Sequence, residues 1–227
     1  MFILHIETST TVCSVALSGN GQCLYFKMND EGMNHAALLS TYIAEALEVL
    51  KPLALKPDAI AVSSGPGSYT GLRIGVSTAK GLCYGYEIPL IAVSTLGLMT
   101  IAALKVVTDT SALFCPMIDA RRMEVYAAFY DNHLQLKREI QADIIDENSY
   151  TEILSQQPVY FFGNGAGKCK NALSHSNAHF IDNIVPLACD MIDPAENSFI
   201  ANEFVDVAYF EPFYLKEFQA TIPKKLF

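Results

Sequence analysis

The chain has 227 residues, 51% of them hydrophobic and 17% charged, against about 25% charged in ordinary globular domains. That composition excludes intrinsic disorder, and the length suffices for one buried core or two small ones. Twenty-four acidic and 15 basic residues give a formal charge of −9. This argues against a stand-alone nucleic-acid reader, for which a partner would have to supply the basic groove.

Three short strand-like runs come first, at residues 2–8, 13–17 and 23–28. Asn20-Gly21 between the last two is a hairpin signal. A helix over 35–50 follows, ended by Pro52. Then come a buried-type strand at 59–63, the turn Gly65-Pro66-Gly67-Ser68, a helix over 69–86, a strand at 90–93 and a helix over 95–105. Three antiparallel strands followed by βα crossovers predict a mixed sheet flanked by helices. The second half repeats the order: strands at 113–118, 124–130 and 134–140, a helix at 149–155, a strand at 159–162, a helix at 167–173, a strand at 179–181 and a long or broken helix over 185–207. The repetition predicts two similar α/β subdomains, 1–105 and 106–227, with the last helix able to pack back on the first.

Six cysteines are scattered without a CxxC pair, and most lie in apolar runs, as free thiols of a reducing, cytoplasmic chain do. The start Met1-Phe2-Ile3-Leu4-His5 has no basic n-region, so no signal peptide is expected. The uncharged run 88–104 has 17 residues but holds Pro89, Gly97 and three hydroxyl residues, and reads as soluble core.

Two helices stand out. Leu38, Leu39, Tyr42, Ile43, Ala46, Leu47, Val49 and Leu50 cover about half the wheel of the first, more than the stripe over ~100° wide that a surface helix needs. In the second, Gly71, Gly75, Thr78, Leu82 and Gly85 share one face, with Gly81 just beside it, and Leu72, Val76, Ala79 and Cys83 form another seam. Each glycine costs about 1 kcal/mol relative to alanine, so such a face implies close approach of another backbone. One seam can pack on the sheet and the other outward, giving half of a four-helix bundle across an interface. Gly75→Leu or Ile43→Glu would then break partner binding.

The segment Gly65-Pro66-Gly67-Ser68-Tyr69-Thr70-Gly71-Leu72-Arg73-Ile74-Gly75 joins a strand to a helix, where backbone N–H groups can bind an anion. It is no Rossmann fingerprint, since Thr70 replaces the third glycine, and no P-loop. A tight turn with Ser68 or Thr70 capping the helix is the plainer reading. Gly163-Asn164-Gly165-Ala166-Gly167-Lys168-Cys169 fails as a Walker A motif at both ends. His175 and His179 have metal-like spacing but loop-forming neighbours. Asp119-Ala120-Arg121-Arg122 reads as a turn with a local Asp–Arg pair.

The runs Ile3-Leu4-His5-Ile6-Glu7-Thr8-Ser9 and Cys13-Ser14-Val15-Ala16-Leu17, and above all the 65–75 segment, resemble the bacterial TsaB (YeaZ) family. Pro89-Leu90-Ile91-Ala92-Val93-Ser94-Thr95-Leu96, Ile118-Asp119-Ala120-Arg121, Glu124-Val125-Tyr126 and Glu211-Pro212-Phe213-Tyr214-Leu215-Lys216 extend the likeness over nearly the whole chain. It departs at Lys216, where arginine is common, and in the loops between 131 and 157.

The resemblance implies two RNase H-like subdomains of the actin/Hsp70/sugar-kinase superfamily. It implies a non-catalytic partner of the paralogue TsaD in forming N6-threonylcarbamoyladenosine at position 37 of tRNAs reading ANN codons. A TsaE-type ATPase joins the complex, a homodimer can form in isolation, and tRNA is met only through the complex. The helices over 35–50 and 69–86 correspond to the family's partner-binding pair. The interface expected is therefore His35, Leu39, Tyr42, Ile43 and Ala46 with Gly71, Leu72, Gly75, Val76, Ala79 and Leu82, beside a signature loop of Gly65, Pro66, Gly67, Ser68, Tyr69, Thr70 and Arg73. Glu7-Thr8-Ser9 lacks the Asp and Gly of the superfamily's first phosphate loop, and Arg121 replaces the glycine of the second. No metal, cofactor or tight Mg-ATP site is expected, and no membrane association. The alternatives are a small-molecule kinase or ATPase of the same superfamily and a glycoprotease-like peptidase.

Overall fold

A computed structural model describes residues 1–32 and 34–215. The first half comprises β1 (Phe2–Glu7), β2 (Cys13–Gly19), β3 (Gln22–Asn29), α1 (His35–Glu48), β4 (Ala59–Gly65), α2 (Tyr69–Tyr86), β5 (Leu90–Ser94) and α3 (Thr95–Leu104). The second comprises β6 (Leu113–Asp119), β7 (Glu124–Tyr130), β8 (Leu136–Ile144), α4 (Thr151–Gln156), β9 (Val159–Phe162), β10 (Ala178–Ile181) and α5 (Ile192–Ile200). The first sheet has the order β3-β2-β1-β4-β5, antiparallel from β3 to β1 and parallel from β1 to β5. The second, β10-β9-β6-β7-β8, is the same arrangement built again.

Alternation along the strands divides the core. Leu4 and Ile6 of β1 point with Val15, Leu17, Ile60 and Val62 toward α1 and α2, whereas Ile3 points with Ala59, Ala61 and Ile91 to the opposite face. All are fully buried, and each large side chain contributes about 1.5–3 kcal/mol. Apolar all round, α3 lies between the sheets: Leu98 packs on the first, while Leu96, Met99 and Ala103 pack with Phe114 and Phe162 of the second. The uncharged run 88–104 is thus β5 and α3, and among the described residues no helix is long and apolar enough to cross a membrane.

Three expected elements differ. The third strand of the second sheet starts at Leu136 because Leu134 turns, with φ +60° and its N–H on Asp131 O at 3.1 Å. The expected helix over 167–173 is one 3-10 turn, Gly167–Cys169, after which Ala172 N and Leu173 N both return to Cys169 O and close the coil. The helix expected over 185–207 is a 3-10 turn at Ala188–Met191 followed by α5. It stops where Asn202 adopts φ +56°, and Val205 then forms a bridge with Leu90 at the edge of the first sheet. This returning stretch docks on the first sheet: Ala188 N donates to Ser14 Oγ at 2.9 Å, and Lys105 pairs with Asp190 at 2.6 Å.

Candidate functional site

The turn after β4 is clasped by the chain itself. Ser68 N donates to Ser9 O at 2.7 Å, and the Ser68 hydroxyl caps α2 by accepting from Gly71 N at 3.3 Å. Thr8 Oγ1 donates to Gly71 O at 2.7 Å. A methyl at Gly67 would strike the Ser9 carbonyl, one at Gly71 the Thr8 carbonyl, and one at Gly75 the Thr8 hydroxyl. These three glycines let α2 lie with its backbone directly on the turn between β1 and β2. The tight-turn reading with Ser68 as cap therefore describes the segment, and Thr70 is exposed. Pro66 is buried behind a cis Gly65-Pro66 bond.

A strap crosses this turn. Phe213 N donates to Ser64 O at 2.7 Å, with the Phe213 backbone standing where a Gly65 side chain would be. The rings of Tyr214 and Tyr69 are 5.0 Å apart. Arg73 lies over the Tyr69 ring at 5.4 Å and donates to its hydroxyl at 3.2 Å. Lys80 Nζ donates to Ala208 O and Phe210 O at 3.0 and 3.1 Å. The helix expected over 185–207 concealed this strap, and only the aromatic run Phe213-Tyr214 beside Pro212 hinted at it. Lys216 lies outside the described residues.

The expected interface residues need a correction. Leu39, Tyr42, Ile43 and Ala46 of α1, with Val76 and Ala79 of α2, belong to the core above the first sheet; Leu72 is buried and Leu82 half-buried against that core. Gly71 and Gly75 face Thr8. His35 is buried, with Nε2 at 2.9 Å from Thr10 O and 3.2 Å from Val12 O, so that nitrogen carries a proton and anchors the start of α1. Both seams of α2 pack inward, except at Gly85 at the end of the first, which is exposed, so Gly75→Leu and Ile43→Glu would break the fold itself. The outward faces hold different residues: Ala36, Ala37, Ser40, Thr41 and Ala44 on α1, and Arg73, Ser77, Gly81, Tyr84 and Gly85 on α2. A side chain at Gly81 or Gly85 would meet nothing within 4 Å.

The two phosphate-loop positions are also plain. Glu7 is completely buried; its Oε1 accepts from Ser9 N at 2.5 Å, and Oε2 has no well-aligned donor among the described residues. Burial pushes its carboxyl up to about 7, while the Ser9 and Ser63 hydroxyls beside it pull the other way. Asp119, at the end of β6, pairs with Lys168 rather than with an arginine guanidinium; only the Arg121 backbone N–H reaches it, at 2.9 Å. The expected Asp–Arg pair is thus replaced by Asp–Lys across two loops. In the Walker-like segment, Met99 and the Met117 carbonyl fill the space beside Gly163, and Gly165 presses on β6. His175 Nδ1 accepts from Asn177 N at 3.1 Å, and His179 stacks on Tyr160 at 5.1 Å. Among the described residues, no three His, Cys, Asp or Glu side chains gather as a metal site.

Comparison with known proteins decides the family. The model of the family described as "TsaD: tRNA N6-adenosine threonylcarbamoyltransferase" matches residues 31–224. The tRNA threonylcarbamoyladenosine biosynthesis protein TsaB of Escherichia coli (strain K12) is 33% identical over 224 residues, 95% of each chain. The chain belongs to the TsaB family. TsaB of Bacillus subtilis (strain 168) is 33% identical over 170 residues, 72% of this chain and 71% of its own. The solved structure of YeaZ from Pseudomonas aeruginosa superposes with a TM-score of 0.79 at 25% identity, covering 94% of this chain and 99% of that one. The TsaB fold is thus the one built here: α/β, with two mixed five-stranded sheets of the same strand order flanked by helices.

Proposed function

We propose that the chain is the non-catalytic partner subunit of a TsaD-type paralogue in forming N6-threonylcarbamoyladenosine at position 37 of tRNAs reading ANN codons. The transferase chemistry belongs to the paralogue, a TsaE-type ATPase joins the assembly, and tRNA is met within it in the cytoplasm. Residues 1–105 carry the docking face, and 106–227 form the second subdomain. The observation that carries this reading is the outer surface of α1 and α2. There Ala37, Ser40 and Ala44 on one helix and Ser77, Gly81 and Gly85 on the other leave backbone open to a neighbour. A helix interior bears exposed glycines at a cost of about 1 kcal/mol each, which a closely packed partner helix offsets. A second copy of the chain can occupy the same face when the paralogue is absent.

The kinase or ATPase reading finds no support in the residues, which do not fit a Mg-nucleotide. The carboxylate that would face the metal is Glu7, buried and held by Ser9 N. The backbone of Thr8 and Ser9 is covered by α2. Arg121 stands where the second loop would need glycine. No nucleophile elbow or zinc-protease motif supports the peptidase reading.

Two variants test the docking face. Gly81→Arg and Ala44→Arg place a long side chain on an exposed position, so the first should fold with a Tm at or above that of the parent and the second with a Tm close to it. Each should abolish co-elution with the TsaD-type paralogue in size-exclusion chromatography and reduce reconstituted tRNA modification to the level seen without this chain. Folded variants that still co-elute and support modification would place the interface elsewhere. Calorimetry should find no micromolar Mg-ATP affinity in the isolated chain.

A further inference from the structure

The twelve lysines and arginines among the described residues divide unevenly. Ten are engaged within the chain: seven in ion pairs with carboxylates, Lys56 and Lys80 on backbone carbonyls, and Arg73 on Tyr69. Arg121 and Arg122 are the remaining two, and neither has an ion-pair or hydrogen-bond partner for its guanidinium among the described residues. Both are exposed and adjacent, on the turn between β6 and β7. Both also have left-handed backbone, φ +73° and +50°, a conformation in which a side chain is strained and glycine is not. The fold thus holds two unpaired cations at positions where glycine would be more stable.

Their place in the topology matters too. β6 and β9 are parallel neighbours, and ligands of open α/β sheets gather beyond the carboxyl ends of such strands. The two loops there are knitted together: Asp119 N donates to Asn164 Oδ1 at 2.9 Å, and Lys168 Nζ reaches both Asp119 and Glu124 O. Two acids flank the turn, Asp119 and the half-buried Glu124; Lys168 neutralises the first, so two guanidiniums against one remaining carboxylate leave a net local positive charge. Acids of this −9 chain farther away than Glu124 act over a Debye length of about 8 Å at physiological salt, which confines their repulsion to their own surroundings.

We propose that Arg121 and Arg122 bind the phosphodiester backbone of the RNA substrate in the assembled complex. This rests on the tRNA-modification reading above. The guanidinium is a planar fork that matches phosphate oxygens in pairs, which suits it to a phosphate contact. The contact is sequence-independent and positions the RNA; it takes no part in reading bases.

The test uses the complex of the full chain with its TsaD-type paralogue, and an unmodified fluorescein-labelled tRNA transcript with an ANN-reading anticodon. Affinity is measured by anisotropy across salt concentrations. Arg121→Gly/Arg122→Gly relieves the backbone strain, so its Tm should equal or exceed that of the parent, and co-elution with the paralogue should be unchanged. Its tRNA affinity at 0.1 M salt should fall roughly 10- to 50-fold, and the slope of log K against log salt should shrink by about 1.5, two phosphate contacts' worth. Arg121→Lys/Arg122→Lys, which keeps the charge, should recover most of the slope. An unchanged affinity and slope in the glycine variant would overturn the proposal. So would loss of co-elution with the paralogue, which would mean that the arginines meet a partner's carboxylates. A parent complex that assembles yet binds no tRNA would overturn the tRNA-modification reading and this proposal together, a result distinguishable because no variant is needed to see it.

Discussion

Gly71→Ala destabilises the chain by about 2–3 kcal/mol, whereas Gly81→Ala, ten residues along the same helix, stabilises it by up to about 1 kcal/mol. The chemical change is identical, and the surroundings set the sign. At Gly71 the new methyl meets the carbonyl of Thr8, a backbone atom that moves only if the whole turn between β1 and β2 moves with it. That movement breaks the Thr8 hydroxyl's bond to Gly71 O and Ser68 N's bond to Ser9 O, each worth about 1 kcal/mol. At Gly81 the methyl enters open space and only the gain in helix propensity remains. Urea denaturation of the three proteins measures both differences. Equal midpoints for Gly71→Ala and the parent would show that α2 does not rest on that turn.

Glu7→Gln makes the chain more stable than the parent at pH 8 by about 2–3 kcal/mol, and the advantage disappears by pH 4.5. In the fold, Glu7 keeps its proton up to about pH 7; in the unfolded chain it loses it near the ordinary value of 4.5. Between those values the folded state binds more protons, so stability falls as pH rises through the window and stays low above it. At roughly 1.4 kcal/mol per pH unit, the window is worth about 3 kcal/mol. The amide of the Glu7→Gln variant does not titrate, and its oxygen can still accept from Ser9 N. His5, two residues earlier on the same face of β1, acts in the opposite sense. Burial lowers it to about 3 from 6.5, so the unfolded chain gains its proton first and stability is lost as pH falls through that range. His5 is present in both proteins and cancels in their difference. Denaturation midpoints at pH 4.5, 6 and 8 give the result, and a difference independent of pH would show that Glu7 is not held protonated in the fold.

Both experiments concern residues that the sequence marked for other reasons. Glycines on one face of α2 announced a close backbone approach, and there is one, but to Thr8 and Ser9 of the same chain. Glu7 stood out as a departure from the superfamily's phosphate loop. Its burial against Ser9 and Ser63 adds a physical consequence that no motif carries. The Asp119-Arg121 turn was legible as a turn. That Lys168, 49 residues away, would take the aspartate and release the arginines was not.

Local order was determined by the sequence alone. Alternation marked the strands, Asn20-Gly21 the first hairpin, and Ser68 with the 65–75 segment the start of α2; the repeated order of elements announced two similar sheets. These features depend on near neighbours along the chain, and so are written in it. Which face of a helix meets which surface depends on residues far away in sequence. A wheel that is apolar over half its circumference does not say whether its own sheet or another molecule covers each seam. Only the tertiary structure turned Leu39, Ile43 and Val76 inward and left Ala44 and Gly81 outward, and only it laid residues 205–214 across α2 as a strap. Burial is a property of what stands opposite, and what stands opposite is assembled only when the chain has folded.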